Sequence, residues 1–391
     1  MQKKSTTTKV ENPVGEYAIV GQKFEALQLP IIRDVRGKDW MYFGEENLYP
    51  QILINLYNNS AMHHTCVQAI KDGVIGEGIE MIGNEIVNKH GETVDEVFEK
   101  ATQDYIIFGG YSLNLVWNRE GTKIVEMYHL PFNNVRSGKL DEDDKVVEYY
   151  YSTRWENARK YPPHAYRAFD PLDNKGDNAS QVYYCYDYVP GNDYYPLPSY
   201  VGGLNDIQLD GRISKFHNAN ISNGLAPSLF IQFRNGIPTP EARRDIYNEI
   251  DETFSGEDKA GKFFLSFSEA GKELQVTPIT AANDQYYITL EERVSSRILT
   301  AHRITSPLLL GIKDASGFSN NADEIRVAYD HFEATVIDPK RKKMLNTFGY
   351  ILRFMGYNIT LTIKPNRILI EDLNVNEETK VDVETNPTPE V

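Results

Sequence analysis

At 391 residues the chain has room for two or three domains, and 41% hydrophobic residues can bury real cores, which excludes a disordered chain. A formal charge of −15 argues against a sequence-independent DNA binder, because such proteins place Lys and Arg against phosphates and release counterions. No apolar run approaches the roughly 20 residues that span a bilayer and the start, Met1 to Thr8, lacks a signal-peptide core, so the expectation is a soluble, intracellular protein without a membrane partner.

In chain order, the first dozen residues are polar with three lysines and read as a flexible arm, with order expected from about Gly21. Leu48, Ile52, Leu56, Met62, Cys66, Ala69 and Ile70 recur at helix spacing, and Asn58-Asn59-Ser60 predicts a break or a new N-cap, hence two helices between Leu48 and Val74. Gly73, Gly76 and Gly78 lack dinucleotide-fingerprint spacing and read as a helix C-cap. Thr93 followed by Glu96 predicts a capping box for a helix to Phe108, stopped by Gly109-Gly110. Tyr111 to Trp117 alternates as a strand, Asn118 to Gly121 turns, and Ile124, Glu126 and Tyr128 continue a hairpin. From Val146 to Tyr200 the chain is rich in Tyr, Pro, Asp and Asn, with short strands such as Gln181 to Tyr188 and no topology assigned.

Asp206 to Ala226 reads as a helix of roughly 30 Å with a thin apolar stripe of Leu209, Ile213, Phe216 and Ile221; a helix polar on most faces bridges domains or packs against other chains. Ser228 to Phe233 is a predicted strand, Pro240 to Phe254 a helix, Lys262 to Phe267 a strand, and Glu273 to Val276 a fourth element. Tyr287, Leu290, Val294, Ile298 and Ala301 then lie on one face of a helix of matched length, Gln285 to Arg303. The elbow Thr305 to Gly311 and a small-residue loop lead into a second run with Ile325, Ala328, Phe332 and Val336 at helix spacing. Asp338-Pro339 reads as an N-cap with proline at the first helical position, so that helix is expected to kink or restart there.

This order of elements, from about Tyr49 to Tyr357, resembles the portal proteins of tailed phages. The resemblance implies an α+β portal fold: a flexible arm (1–20), a wing (21–205), stem helices (206–227 and 281–304) around a small α/β clip (228–280), a tunnel loop (305–321), a long kinked wing helix with a C-terminal strand (322–370), and an acidic tail (371–391). After Tyr357 there is no room for a large crown. The implied function is a dodecameric ring at the capsid vertex, made in the host cytoplasm and kept in the virion. Double-stranded DNA would be packaged and ejected through it; the terminase large subunit, the major capsid and scaffolding proteins and a head-tail adaptor would be its partners. Acidic channel walls would let DNA slide.

The resemblance further implies that Lys313, Asp314, Ser316 and Asn320 face the channel, that Pro307, Leu308, Leu309 and Gly311 form the elbow, and that clip residues Arg243, Arg244, Glu257 and Lys259 meet partners. Lys340, Arg341, Lys342 and Lys343 put positive charge at an expected helix start, against the dipole; this points to an external anion, either DNA or an acidic surface of a neighbouring subunit, as the alternative to a solvated face. His63, His64 and Cys66 are close in sequence, but adjacent residues diverge by about 100° around a helix, so no metal site is expected. Cys66 and Cys185 are expected to be free thiols. No phosphate loop, zincin helix or nucleophile elbow is present, so neither an enzyme nor a cofactor is expected. The rival reading is a tail or adsorption protein whose tyrosines, among 25 in the chain, form a binding surface; otherwise they cover the wing or meet other subunits.

Overall fold

The computed structural model describes residues 9–12, 15–18, 29–222, 228–233, 238–254, 263–267, 275–279, 284–312 and 322–364. The opening segment, expected as a flexible arm, contains an antiparallel pair, β1 (Lys9–Asn12) and β2 (Gly15–Ala18), in which the β-formers Val10 and Tyr17 are register partners. A second antiparallel pair, β3 (Ile32–Asp34) and β4 (Met41–Phe43), leads into α1 (Tyr49–Asn59), which carries Pro50 in its first turn. Ser60 ends α1 and caps α2 (Ala61–Ile75), its hydroxyl accepting from the His63 N–H, so the break expected at Asn58-Asn59-Ser60 is present.

The glycines after α2 serve a close approach as well as a cap. Gly76 has φ +51, and the turn it makes receives the C-terminal segment: Glu77 N–H donates to the Lys364 carbonyl, Lys364 N–H to Gly78, and Glu80 N–H to Thr362. α3 (Val94–Phe108) begins with the capping box of Thr93 and Glu96 and ends at Gly109 in the left-handed region, φ 82.

α3 packs on a six-stranded sheet of order β6-β5-β10-β9-β8-β7, built from β5 (Gly110–Trp117), β6 (Ile124–Leu130), β7 (Val135–Ser137), β8 (Glu148–Tyr151), β9 (His164–Ala168) and β10 (Ser180–Tyr186). Its neighbours are antiparallel except β9 and β10. The tyrosine-rich region that forms its far half contributes four tyrosines to the core, where a surface was expected. Tyr149, Tyr150, Tyr195 and Tyr200 are buried; Tyr195 stacks on Phe43 at 4.1 Å and donates to the Met41 carbonyl, and Tyr200 donates to the Ile107 carbonyl. A phenol buries a large ring at least cost where its hydroxyl finds an acceptor, as those of Tyr150, Tyr195 and Tyr200 do. Tyr161 and Tyr188 are the exposed ones between 149 and 200. Arg136, fully buried under the same region, has no carboxylate; its guanidinium donates to the carbonyls of Asn47, Asn133 and Val135 and to Asn47 Oδ1, with Trp155 across its face.

Helix α4 (Leu204–Ser222) follows, then β11 (Ser228–Phe233), α5 (Pro240–Phe254), β12 (Phe263–Phe267) and β13 (Gln275–Ile279), with β11 central, parallel to β12 and antiparallel to β13. Helix α6 (Asp284–Ala301), a 3₁₀ turn (Pro307–Leu310), α7 (Ala322–Phe332), a π turn (Glu333–Ile337) and α8 (Asp338–Phe354) complete the order. Of the kink or restart expected at Asp338-Pro339, the restart does not occur, and the irregularity is a π turn that ends at Ile337. Phe332 (φ −63, ψ −46) and Asp338 (φ −58, ψ −42) are both helical, and the Asp338 N–H reaches back five residues to the Glu333 carbonyl. Pro339 has no N–H to give and its ring crowds the carbonyl four residues earlier, so widening one turn lets the helix run through the proline. Phe348 of α8 meets Phe98 of α3 edge-on at 5.0 Å, closing the main core.

A Cβ added at Gly76 would lie 2.5 Å from the Lys364 carbonyl oxygen, on a backbone already in the left-handed half of the map. Gly76→Ala is therefore expected to cost about 2 kcal/mol, read as a lower denaturation midpoint at unchanged m-value.

Candidate functional site

The paired helices α4 and α6 are the feature from which a site can be built. Asp206 meets Arg297 at 3.4 Å and His217 meets Glu291 at 2.9 Å, so the two run antiparallel, and Gly203 lies against the Ala301 methyl. Among the described residues the buried ones lie toward one end of the pair: Leu204, Ile207, Gly211 and Ile213 on α4, Val294, Ile298 and Leu299 on α6. Beyond them Phe216 is 43% exposed and Ile288 49% exposed. Of the thin stripe expected from Leu209, Ile213, Phe216 and Ile221, Ile213 is buried and Leu209 packs against the core, Phe216 is exposed, the Ile221 side chain lies outside the described residues, and Leu204, Ile207 and Gly211 extend the buried face at the root. Gly211 is there because α4 crosses the end of α1, where an added Cβ would come within 2.9 Å of the Asn59 carbonyl oxygen.

Polar ties lock this root to α2. Ser60 Oγ donates to Asp210 Oδ2 at 2.6 Å while capping α2. His63 Nδ1 and His302 Nε2 share one hydrogen bond at 2.8 Å, both rings are buried, and Tyr200 covers both. Such a contact needs one ring nitrogen to donate and the other to accept, so at most one of the two rings can be protonated. Burial first, then the neighbouring charges of His302 and His64, holds the His63 pKa down to about 3; burial and Lys340 do the same for His302, also to about 3. Sequence pointed to His63 only as a rejected metal ligand, and its partner lies 239 residues away, beyond any local pattern. His64 leaves the site to stack on Tyr57, and Cys66 is buried with its thiol pushed up to about 12. Among the described residues no group of three His, Cys, Asp or Glu could hold a metal ion.

Immediately after His302, α6 ends in a Schellman arrangement: Ile304 N–H donates to the Leu299 carbonyl, Arg303 N–H to Thr300, and Arg303 sits at φ 61. The helix expected to reach Arg303 or Ile304 thus stops at Ala301. The elbow residues come next. Pro307 opens the 3₁₀ turn, the Leu308 N–H donates to Ser306 Oγ, Leu309 and Leu310 pack against the main core, and Gly311 closes the turn at φ 74. Lys313, Asp314, Ser316 and Asn320 lie outside the described residues, as do Glu257 and Lys259. Arg243 and Arg244 are exposed on α5, where Arg243 Nε donates to the Pro238 carbonyl.

The basic run on α8 is not a uniform solvated face. Arg341 donates to the Gly73 carbonyl at 2.6 Å and the Val74 carbonyl at 3.4 Å and pairs with Glu333 and Asp338, so its charge meets the negative end of α2. Lys343 donates to the Tyr186 carbonyl and to Asp187, Lys340 lies over the Tyr105 ring, and Lys342 is exposed. The mismatch with the dipole of α8 disappears because the π turn makes that helix continuous with α7.

Two results are expected from this geometry. The unfolded chain binds protons that the buried histidines refuse, so stability is full above pH 6.5 and falls as pH drops toward 3, by up to about 1.4 kcal/mol per pH unit for each imidazole. Denaturation between pH 6.5 and 5 should show a steeper loss for the wild type than for a His63→Asn, His302→Gln variant. Arg303→Gly should raise stability by about 1 kcal/mol in the same assay, because glycine adopts the left-handed backbone freely.

No family model matches the chain, and no curated protein matches it. Solved structures do. A chain in the virion of a native gene transfer agent particle aligns over 87% of this chain and 92% of its own, at 16% identity and a TM-score of 0.55. One in the neck of the native particle, computed with C12 symmetry, aligns over 86% and 91%, at 17% identity and a TM-score of 0.53. An HK97-family phage portal protein from Corynebacterium diphtheriae is more distant, with 81% and 96% covered, 11% identity and a TM-score of 0.46. The first two likenesses show that the α+β fold is shared with chains of the particle and its neck.

Proposed function

We propose that this chain is a portal subunit, a non-enzymatic component that closes into a twelve-membered ring at a capsid vertex and conducts double-stranded DNA in and out. The observation that carries the reading is the fold shared with a chain of a C12-symmetric particle neck over most of both chains. The helix pair adds physical support: among the described residues its burial lies toward one end, and Ile288 toward the other is 49% exposed, which suits a helix that packs on neighbouring copies. Among the described residues no helix is long and apolar enough to cross a membrane.

In this reading α4 and α6 are the stem, and β11, α5, β12 and β13 are the clip, with Arg243 and Arg244 exposed toward the terminase large subunit during packaging and the adaptor afterwards. The elbow at Pro307 to Gly311 carries the tunnel loop, whose Lys313 and Asp314 nearly cancel and so touch phosphates without holding them. The net charge of −15 favours sliding over retention. Of the basic run, Lys342 is the exposed member. Burial of Tyr149, Tyr150, Tyr195 and Tyr200 reduces the tyrosine surface on which an adsorption protein would have relied.

Negative-stain imaging of the purified chain should show closed rings with a central hole. Val294→Pro, which breaks α6 within its buried root at a local cost of about 3 kcal/mol or more, should abolish them, and intact rings from that variant would overturn the stem assignment. Shortening residues 315–320 should leave rings intact and reduce packaged or retained DNA in a virion assay; full genomes would refute the tunnel-loop role.

A further inference from the structure

The end of α6 and the start of α8 enclose a cleft of about 300 Å³, lined in part by Asp187, Ser199, Arg303, Lys340 and Lys343. Its charges do not balance, since three cations face one carboxylate. That carboxylate is already engaged: Asp187 accepts from the Tyr105 hydroxyl at 3.0 Å and from Lys343. Lys340 has only the Tyr105 ring beneath it, 5.4 Å from the ring centroid, and makes no hydrogen bond to an acceptor among the described residues. Burial lowers its pKa, Asp187 opposes that, and Arg303 and Lys343 lower it further. Arg303 keeps its side chain at the cleft although its backbone, at φ 61, would be better served by glycine.

We propose that this cleft is a binding site for a phosphate-class dianion, held by Lys340, Lys343 and Arg303 with the Ser199 hydroxyl as a further donor. Two uncompensated positive charges match a dianion, whereas a single carboxylate would leave one of them unpaired. Charge-assisted hydrogen bonds to phosphate are the strong kind, and partial burial screens them less than surface pairs. A bound anion would oppose the lowering of the Lys340 pKa that burial and its cationic neighbours cause. The anion would join the residue that ends α6 to the first turn of α8, beside the elbow. The site stands independently of ring formation.

Titration calorimetry of the full chain with inorganic phosphate, at constant ionic strength and with acetate as the control anion, tests this. The expected result is one phosphate per chain and a loss of about tenfold or more in Arg303→Gln and Lys340→Met. Arg303 is exposed, so its variant remains informative if Lys340→Met does not fold. Competition by a 5′-phosphorylated DNA oligonucleotide but not by its unphosphorylated twin assigns the ligand to nucleic-acid ends; competition by neither leaves free phosphate. No heat with phosphate, equal binding of acetate, or unchanged affinity in Arg303→Gln overturns the proposal.

Discussion

The hydrogen bond between His63 and His302 is the contact on which the arrangement of the helices depends. It joins the first turn of α2 to the residue that follows α6, in a place where neither ring can take a charge. Burying two imidazoles is costly where their polar atoms lack partners; His63 Nδ1 and His302 Nε2 satisfy each other, while His63 Nε2 has no partner among the described residues. The consequence is positional. With α6 fixed at its end, α4 is fixed beside it, and Ser60 secures that second helix through Asp210. The elbow then leaves from a defined point.

Helix α2 is the common element in these ties. Its N-terminus holds the root of the helix pair, and its C-terminus receives Arg341 from α8 through the carbonyls of Gly73 and Val74. Gly73 itself allows the approach, since an added Cβ would lie 2.8 Å from Ile337 in the π turn. One helix therefore couples the pair of long helices to the long helix that closes the main core. A change in the elbow must be transmitted through contacts at both ends of α2 or remain local to the 3₁₀ turn.

Much of the local structure was legible because it is governed by residues a few positions apart. The capping box of Thr93 and Glu96, Ser60 as a cap, Gly109 as a stop, the hairpin around Asn118 to Gly121 and the strand-helix-strand unit from Ser228 all follow from side chains acting on nearby backbone. The failures share a different cause. Tyr149, Tyr150, Tyr195 and Tyr200 looked like surface residues because composition cannot say which phenols find buried acceptors, and the kink or restart expected at Asp338-Pro339 takes the form of a π turn because the flanking helices are held by packing. The basic run on α8 looked available because the carbonyls that receive Arg341 lie more than 260 residues earlier.

By itself, the sequence determined the order and nature of the elements, the absence of a catalytic motif, and a charge unsuited to gripping DNA. Those properties reside in spacing and composition, where each residue acts on its own neighbourhood. Tertiary structure decided which ends of α4 and α6 are buried, that Lys340 and Lys343 share a cleft with Arg303 while Arg341 turns to α2, and that His63 belongs with His302. These depend on residues brought together from distant parts of the chain, and the physical reason is that burial, which sets both the histidine pKa values and the unmatched charge of the cleft, exists only after the core has closed.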